Sequence, residues 1–414
     1  MPPAPSDTAR RTRSARRRRA GGEVAPEAVL SVAILMLVCI GVVMVYSASS
    51  ASALLDAANP SGMLLRQGIF AVIALIAFGV CARVDPAMIL RLGRPALLLA
   101  VGLLLVVLVP GIGLEANGAR SWLGLGQVQM QPSEFAKLAL IVWLAAYLAR
   151  NAGRLGTWEG LKWPLGIMAA MGSLLMFEPD LGTAIVLLSA AFLMLVLAGV
   201  PGRILGVLAA AAAVLTAALI VAAPYRTARL RSFLDPWSDP EGNGFQVVQA
   251  ELALGSGGVS GVGLGNGLQK VNYLPEAHTD MIMATIGEEL GLVGVLGVIA
   301  LVGVVIWSGY RIAMAAPDLR LRLLAGGLVS LISIQAVVNL GAVLGLLPVT
   351  GVPLPFVSYG GSSLVVLTAA SGILVGISRR SRGRRLSVVR DPAAPGGDRR
   401  RRDRRAHHAG ARAG

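Results

Sequence analysis

The sequence predicts an all-α polytopic membrane protein in which about ten transmembrane helices form one bundle. Three observations support this fold class. Of the 414 residues, 55% are hydrophobic and only 14% are charged, and the mean hydropathy is +0.71. Apolar runs of about 20 residues, long enough to cross a bilayer as a helix, recur along the chain. The two cysteines, Cys39 and Cys81, both lie in apolar runs, so no disulfide framework is implied.

The apolar runs divide the middle of the chain into spans, with boundaries that carry an error of several residues. The predicted spans are 28–49, 64–83, 95–112, 133–149, 163–178, 181–199, 203–223, 281–309, 321–346 and 353–378. The fifth and sixth come from one long apolar run that Pro179 interrupts, because proline kinks or ends a helix. Residues 28–378 therefore form one membrane domain, with a large extracellular loop, 224–280, between helices 7 and 8.

Basic residues set the expected orientation. With the N-terminus inside, most short inner loops carry Arg or Lys, as the positive-inside rule requires. An even number of spans then places both termini in the cytoplasm. The flanking segments 1–27 and 379–414 are rich in Arg and lack aromatic residues, which favours disordered tails near anionic lipid over arms that bind nucleic acid.

Several cations fall on the outer side against this rule. Those in 226–231 also fit an ordinary solvated loop, whereas a cluster of cations on the outer face suits an anionic ligand such as a lipid phosphate. They are Arg66, Arg120, Lys137, Arg226, Arg229, Arg231 and Lys270. Two short outer segments also carry acids. Glu134 and Lys137 are spaced i, i+3 at the start of a predicted helix, so they can pair, either at a site or as a membrane-interface ion pair. The second segment, 178–183, places Glu178 and Asp180 around Pro179, and Gly182 allows close backbone approach.

The long outer loop contains a Gly-rich run, 255–267, and a stretch, 246–254, that predicts a short amphipathic helix on the membrane. The Gly-rich run follows no strand of a βαβ unit, so it does not predict a dinucleotide site.

The loop ends in the stretch 273–291, which places Glu276, His278 and Asp280 at the mouth of an apolar helix and Glu288 and Glu289 about two turns inside it. Acids at membrane depth are costly and usually functional. Too few His and Cys residues accompany His278 for a zinc site, and no nucleophile elbow occurs. Asp280 is therefore a candidate general base. No cofactor is firmly implied, and a divalent cation, Mg²⁺ or Mn²⁺, held by carboxylates stays open.

Taken together, these segments resemble the SEDS family of membrane glycosyltransferases, which comprises the FtsW, RodA and SpoVE group. The resemblance covers about 28–378. It is carried by the motifs GARSWLGLG, QPSEFAK, EPDLGT, DPWSDPEGNGFQ, YLPEAHTD, IGEELG and PLPFVSYGGSS. It implies an enzyme that polymerises the cell-wall precursor lipid II on the outer face of the bacterial cytoplasmic membrane, releasing undecaprenyl pyrophosphate.

The resemblance also implies roles for individual residues. Asp280 would activate the acceptor sugar hydroxyl, with cations holding the pyrophosphate. The expected substrate-binding residues are Lys137, Glu134, Arg120, Trp122, Asp180, His278, Arg226 and Arg229. Lys137 could instead position Asp280 and Glu134.

The motifs YLPEAHTD and IGEELG favour the division branch (FtsW), active at the septum, over the RodA-like elongation branch. A class B penicillin-binding transpeptidase and other divisome proteins are the partners this implies. Two other functions stay open, a lipid II flippase and a non-catalytic scaffold for a transpeptidase. Polar residues clustered on the outer side favour outward-facing chemistry over a transport pathway through the bilayer.

Overall fold

The computed structural model describes residues 25–55, 61–116, 119–125, 128–271 and 274–390. Its helices are α1 (Pro26–Leu55), α2 (Ser61–Cys81), α3 (Pro86–Arg91), α4 (Gly93–Val107), α5 (Pro132–Arg150), α6 (Trp158–Phe177), α7 (Leu181–Leu197), α8 (Gly202–Val221), α9 (Pro224–Leu234), α10 (Phe245–Ser256), α11 (Ile282–Ala315), α12 (Leu319–Val343) and α13 (Gly361–Arg390). Three short strands, β1 (Leu114–Ala116), β2 (Ala119–Leu125) and β3 (Val128–Met130), precede α5. The Arg-rich ends, 1–24 and 391–414, lie outside the described residues.

The chain is a multi-pass helical membrane protein. Among the described residues, eight helices are long and apolar enough to cross a membrane, and two shorter apolar helices, α4 and α7, accompany them. Each predicted span corresponds to one of these ten. Helices α5 and α12 are buried over most of their length and form the centre of the bundle, where α12 packs against α5, α7 and α11. A central helix reads as apolar all round because it meets protein on every side.

The last predicted span begins too early. Residues 353–360 are not helical, and α13 starts only at Gly361. Pro353 and Pro355 lack backbone N–H groups, and Phe356 has a φ of +67°, so this apolar stretch cannot continue a helix. It is tolerated because Gln335 and Ser358 side chains bond its backbone. At its other end α13 continues to Arg390, beyond the boundary expected at 378.

The polar segments between the helices contain regular structure that hydropathy does not reveal. The three strands form an antiparallel sheet in the order β1-β2-β3, with Leu114 paired to Trp122 and Leu123 paired to Met130. In the long loop, α9 begins at Pro224, a residue that favours the first turn of a helix. The amphipathic helix predicted over 246–254 is α10, whose Val248 and Ala250 are buried and which packs on α11.

The Gly-rich run folds onto α11 at a break in that helix. Gly291 has a φ of +66°, which interrupts the helical backbone. The freed backbone groups pair with the run: the amides of Val262 and Gly263 donate to the carbonyls of Glu288 and Glu289 at 3.0 Å each. The close approach requires glycine on both sides, because a Cβ on Gly291 would overlap backbone atoms of the run.

Glu288 and Glu289 hold this run in place. Glu288 Oε1 accepts the Leu268 amide at 2.6 Å. The fully buried Glu289 pairs with Lys270 Nζ at 2.6 Å and accepts the hydroxyl of Ser47 on α1. The pair of acids thus ties α11 to the loop and to α1, and Lys270 is a buried structural cation.

We predict that Gly291→Ala lowers the apparent melting temperature of the purified protein in detergent, with a cost of roughly 1–3 kcal/mol, because alanine resists positive φ and its Cβ displaces the run. Gly297→Ala, in the same helix with nothing near its added Cβ, is the matched control and is expected to be neutral or slightly stabilising. Equal melting temperatures for both variants would contradict the account of this break.

Candidate functional site

A cavity of about 630 Å³ opens at the end of the bundle where α5, α7 and α13 begin. Strand β2, the long loop and the non-helical segment before α13 form its walls. Most of its lining is polar or aromatic. The lining residues include Arg66, Ser121, Trp122, Gln131, Asp180, Arg229, Gln246, Glu276, His278, Asp280, Tyr359 and Ser363. The structure therefore brings Trp122, Asp180, Arg229, His278 and Asp280, predicted from widely separated motifs, to one cavity.

Asp280 is a desolvated carboxylate in this cavity. Its backbone carbonyl accepts the side-chain amide of Asn339 at 2.8 Å, and that amide also bonds the Val352 carbonyl. The residue is only 7% exposed, and its Oδ1 has no hydrogen-bond partner among the described residues. Burial, helped by the negative charge of Glu276 and opposed in part by Arg229, raises the pKa of Asp280 to about 7.

His278 is fixed beside Asp280 by the segment that leads into α13. Its carbonyl accepts the Tyr359 amide at 2.8 Å, and its ring meets the Tyr359 ring edge to face, with centroids 5.6 Å apart. Burial lowers the pKa of His278 below its ordinary value of 6.5, so the imidazole is neutral at pH 7. A neutral imidazole can orient a substrate by hydrogen bonding but brings no charge for a phosphate.

Asp180 also lines the cavity and caps the N-terminus of α7. Its Oδ1 accepts the Thr183 amide at 2.9 Å and its Oδ2 accepts the Gln131 side chain at 3.2 Å. As predicted, Gly182 permits close backbone approach: a Cβ there would overlap the Thr350 carbonyl oxygen. The capping bonds hold one carboxylate at the cavity edge.

Glu178 lies behind Asp180 and is fully buried. Both carboxyl oxygens lack a hydrogen-bond partner within the part of the chain that the structure describes, while its backbone carbonyl accepts the Ser121 hydroxyl at 3.3 Å. Burial, and secondarily the charge of Asp180, raise the pKa of Glu178 to about 8. This side chain is therefore mostly protonated at pH 7.

Glu134 and Lys137 form the predicted pair, but they do not line the cavity. Lys137 Nζ donates to Glu134 Oε1 and to Gln335 Oε1, each at 2.9 Å, and the side chains of Glu134 and Lys137 are at most 2% exposed. Gln335 in turn donates to Ser363 Oγ at 3.2 Å, and Ser363 lines the cavity. Lys137 therefore lies behind the cavity floor with two of its donors bonded within the protein, and its contact with substrate phosphate stays a prediction.

Arg120 and Arg226 are also absent from the cavity wall. Arg120 sits opposite Glu115 in the register of β1 and β2 and pairs with it at 3.4 Å, largely in solvent. Arg226 donates to the Leu219 carbonyl at the C-terminal end of α8 and lies over the Tyr225 ring. The C-terminal end of a helix attracts a cation, so the Arg226 side chain, which belongs to α9, bonds the end of the preceding helix α8.

Sequence reasoning missed other residues of the cavity. Arg66 appeared only as one of several outer cations, and Glu276 only as an acid near the helix mouth. Nothing in the sequence indicated that Gln131 and Gln246 belong to a site, because an isolated glutamine carries no spacing pattern.

Among the described residues, no three His, Cys, Asp or Glu side chains are grouped so as to hold a metal ion.

Comparisons with known proteins agree with this architecture. Residues 28–383 match the family model described as "Cell cycle protein" for FtsW, RodA and SpoVE. The chain is 41% identical to stage V sporulation protein E of Bacillus subtilis over 87% of this chain and 99% of that protein. It is 44% identical to the probable peptidoglycan glycosyltransferase FtsW of Nitrosococcus halophilus, over 89% of this chain and 96% of that one.

Solved structures give the same result. A chain of a peptidoglycan synthase complex, described for its structural coordination of polymerization and crosslinking, superposes with a TM-score of 0.70 and 34% identity, covering 85% of this chain and 97% of that chain. The rod shape determining protein RodA of Thermus thermophilus superposes with a TM-score of 0.63 and 30% identity, covering 85% of this chain and 96% of that one. This chain therefore belongs to the FtsW, RodA and SpoVE family.

Proposed function

We propose that the chain is a peptidoglycan glycosyltransferase that polymerises lipid II into glycan strands, with Asp280 as the general base. The relatives named as probable peptidoglycan glycosyltransferases support the reaction class. The observation that carries the residue assignment is that Asp280 lines the cavity and that its buried Oδ1 has no hydrogen-bond partner in the described part of the chain.

The chemistry needs one base and one anion site. Asp280 takes the proton of the acceptor sugar hydroxyl as the oxygen attacks the anomeric carbon of the donor. The bond between that carbon and the pyrophosphate oxygen breaks, and undecaprenyl pyrophosphate leaves with the bonding electrons. A carboxylate with a pKa of about 7 suits this role, because it is substantially ionised at neutral pH and still basic enough to accept the proton.

Arg66 and Arg229 are the cations that remain for the pyrophosphate. Both line the cavity with Asp280. Guanidinium groups bind phosphate oxygens bidentately and stay charged, so they stabilise the negative charge that develops on the leaving group. They replace Arg120, Arg226 and Lys137 in this role.

Lys137 acts as a positioning residue. It fixes Gln335, which holds both Ser363 and the Pro353 carbonyl at the cavity floor. Because the same non-helical segment continues to Tyr359, which bonds the His278 carbonyl, the buried pair supports the wall beside Asp280.

We place the cavity on the outer face of the cytoplasmic membrane and both termini inside. The distribution of loop arginines supports this orientation. A flippase is disfavoured because the deep carboxylates Glu288 and Glu289 are already bonded within the protein. A non-catalytic scaffold would not need Asp280.

We assign the chain to septal synthesis during cell division. Relatives named FtsW are 41–44% identical to it, whereas RodA of Thermus thermophilus is 30% identical. A RodA-like role in elongation is the alternative. A class B penicillin-binding transpeptidase is the proposed partner, consistent with the described coordination of polymerization and crosslinking in the matching synthase complex.

We predict that Asp280→Asn lowers lipid II polymerisation by the purified protein roughly 10²–10⁴-fold, the usual contribution of a general base, while lipid II still binds. The assay follows glycan products on gels, with and without a transpeptidase partner. Glu241→Gln, which removes an exposed acid of the same loop, is the control and should retain activity. Full polymerisation by the Asp280 variant would refute the assignment.

The pH profile provides a second test. Since the base works only when ionised, we expect the rate to fall as the pH drops through about 7. Glu276→Gln removes the neighbouring negative charge that raises the Asp280 pKa, so the acid limb should move to lower pH. Glu241→Gln should keep the wild-type limb, and an unmoved limb in Glu276→Gln would contradict the electrostatic account.

The positioning role of Lys137 predicts a stability effect. Lys137→Met leaves Glu134 as an unpaired buried acid, and we expect a loss of roughly 3–5 kcal/mol, seen as a lower melting temperature in detergent. Combining it with Glu134→Gln should recover much of this stability. The matched control, Lys162→Met, breaks an exposed i, i+3 pair with Glu159 and should change little. A Lys137 variant as stable as Lys162→Met would show that the pair is not structural.

A further inference from the structure

A second cavity lies at the opposite end of the bundle and is lined by arginines. It measures about 420 Å³ and sits where α5 ends and α12 begins. Its charged lining residues are Arg91, Arg94, Arg150, Arg320, Arg380 and Asp318. Helix α5 runs from the catalytic cavity to this one, so the two cavities are separated by the length of a membrane-spanning helix.

The five arginines of this cavity outnumber its acids. Asp318, which caps α12 by accepting the Leu321 amide at 2.9 Å, offsets one positive charge. Arg380 is paired with Asp85. The other four arginines make no ion pair with any described residue. Arg150 donates a hydrogen bond from its Nε to the Ala146 carbonyl at 3.0 Å.

Arginines are common in inner loops, but these five all line the same cavity, which the general excess of inner-loop charge does not explain. They come from five elements, α3, α4, α5, α12 and α13. Like charges brought together repel one another, and an anion with several oxygens removes that cost. Guanidinium groups match phosphate oxygens in bidentate geometry.

The remaining lining points to a lipid as the source of that phosphate. Ala87, Leu90, Ala146 and Leu321 give the cavity an apolar side. Met88 and Leu92, on the same short stretch of chain, are exposed apolar side chains. A free phosphate ion would leave these apolar groups without a partner, whereas a phospholipid supplies a headgroup and a hydrocarbon stem.

We propose that this cavity binds the phosphate headgroup of an anionic phospholipid such as phosphatidylglycerol. With the catalytic cavity on the outer face, the site lies in the cytoplasmic leaflet, whose anionic lipids attract clustered arginines. The choice of leaflet rests on the proposed orientation, whereas the binding site itself does not rest on the glycosyltransferase reaction and is tested by a binding measurement.

The test uses native mass spectrometry of the full-length protein with added phosphatidylglycerol or phosphatidylcholine. Arg91→Gln combined with Arg320→Gln should weaken phosphatidylglycerol binding roughly tenfold or more. The matched control, Arg154→Gln combined with Arg203→Gln, removes the same charge from the same end of the bundle outside the cavity and should stay within about twofold of wild type. Equal loss in both double variants, or loss in neither, would overturn the proposal.

Two further arms use wild-type protein and so do not depend on the variants folding. Millimolar inorganic phosphate should leave phosphatidylglycerol bound, and efficient displacement would identify a free phosphate site instead. A phosphatidylglycerol analogue with a photoreactive headgroup should label peptides around 87–94, 146–150 and 318–321. Labelling spread evenly over the lipid-facing helices would contradict a defined site.

Discussion

The buried ion pair between Glu134 and Lys137 is the interaction on which the candidate active site rests. Two charged groups this deep cost several kcal/mol each to desolvate, and their close pairing offsets much of that cost. Gln335 accepts a further hydrogen bond from Lys137 and extends the network to Ser363 at the cavity floor, while Glu134 Oε2 lacks a partner among the described residues. Three helices, α5, α12 and α13, are thereby held in one register at the end of the bundle where the cavity opens.

Around this fixed floor the protein leaves a few acids under-satisfied. Asp280 has a buried oxygen without a described partner although its own carbonyl is held firmly by Asn339. This combination of rigid backbone and desolvated carboxylate is what a general base requires, since the position is set and the proton affinity is raised. Glu288 and Glu289, equally costly by sequence, are bonded by the Gly-rich run and by Leu268 and Lys270 just after it, and they serve the fold, although Glu288 Oε2 also lacks a partner among the described residues.

Much of the fold could be predicted because lipid leaves a spanning segment little choice but a helix. The pairing of Glu134 with Lys137 could be predicted too, since i, i+3 spacing decides it within one helix. The contacts of Arg120 and Arg226 could not be predicted, because those of Arg120 depend on the strand register and those of Arg226 on the end of a neighbouring helix. The non-helical stretch before α13 was missed because hydropathy outweighed its prolines. Arg66 joins Asp280 only through tertiary packing, which no local pattern encodes.

The central claim is that the fold holds Asp280 as a desolvated base in the cavity. Infrared difference spectroscopy of the protein in lipid nanodiscs, between acidic and alkaline pH, measures this directly when wild type is compared with Asp280→Asn. The account predicts a protonated-carboxyl band that is lost with a midpoint near 7 and is missing from the variant. A band that titrates near 3.8, the ordinary value for aspartate, or one unaffected by the substitution, would contradict it.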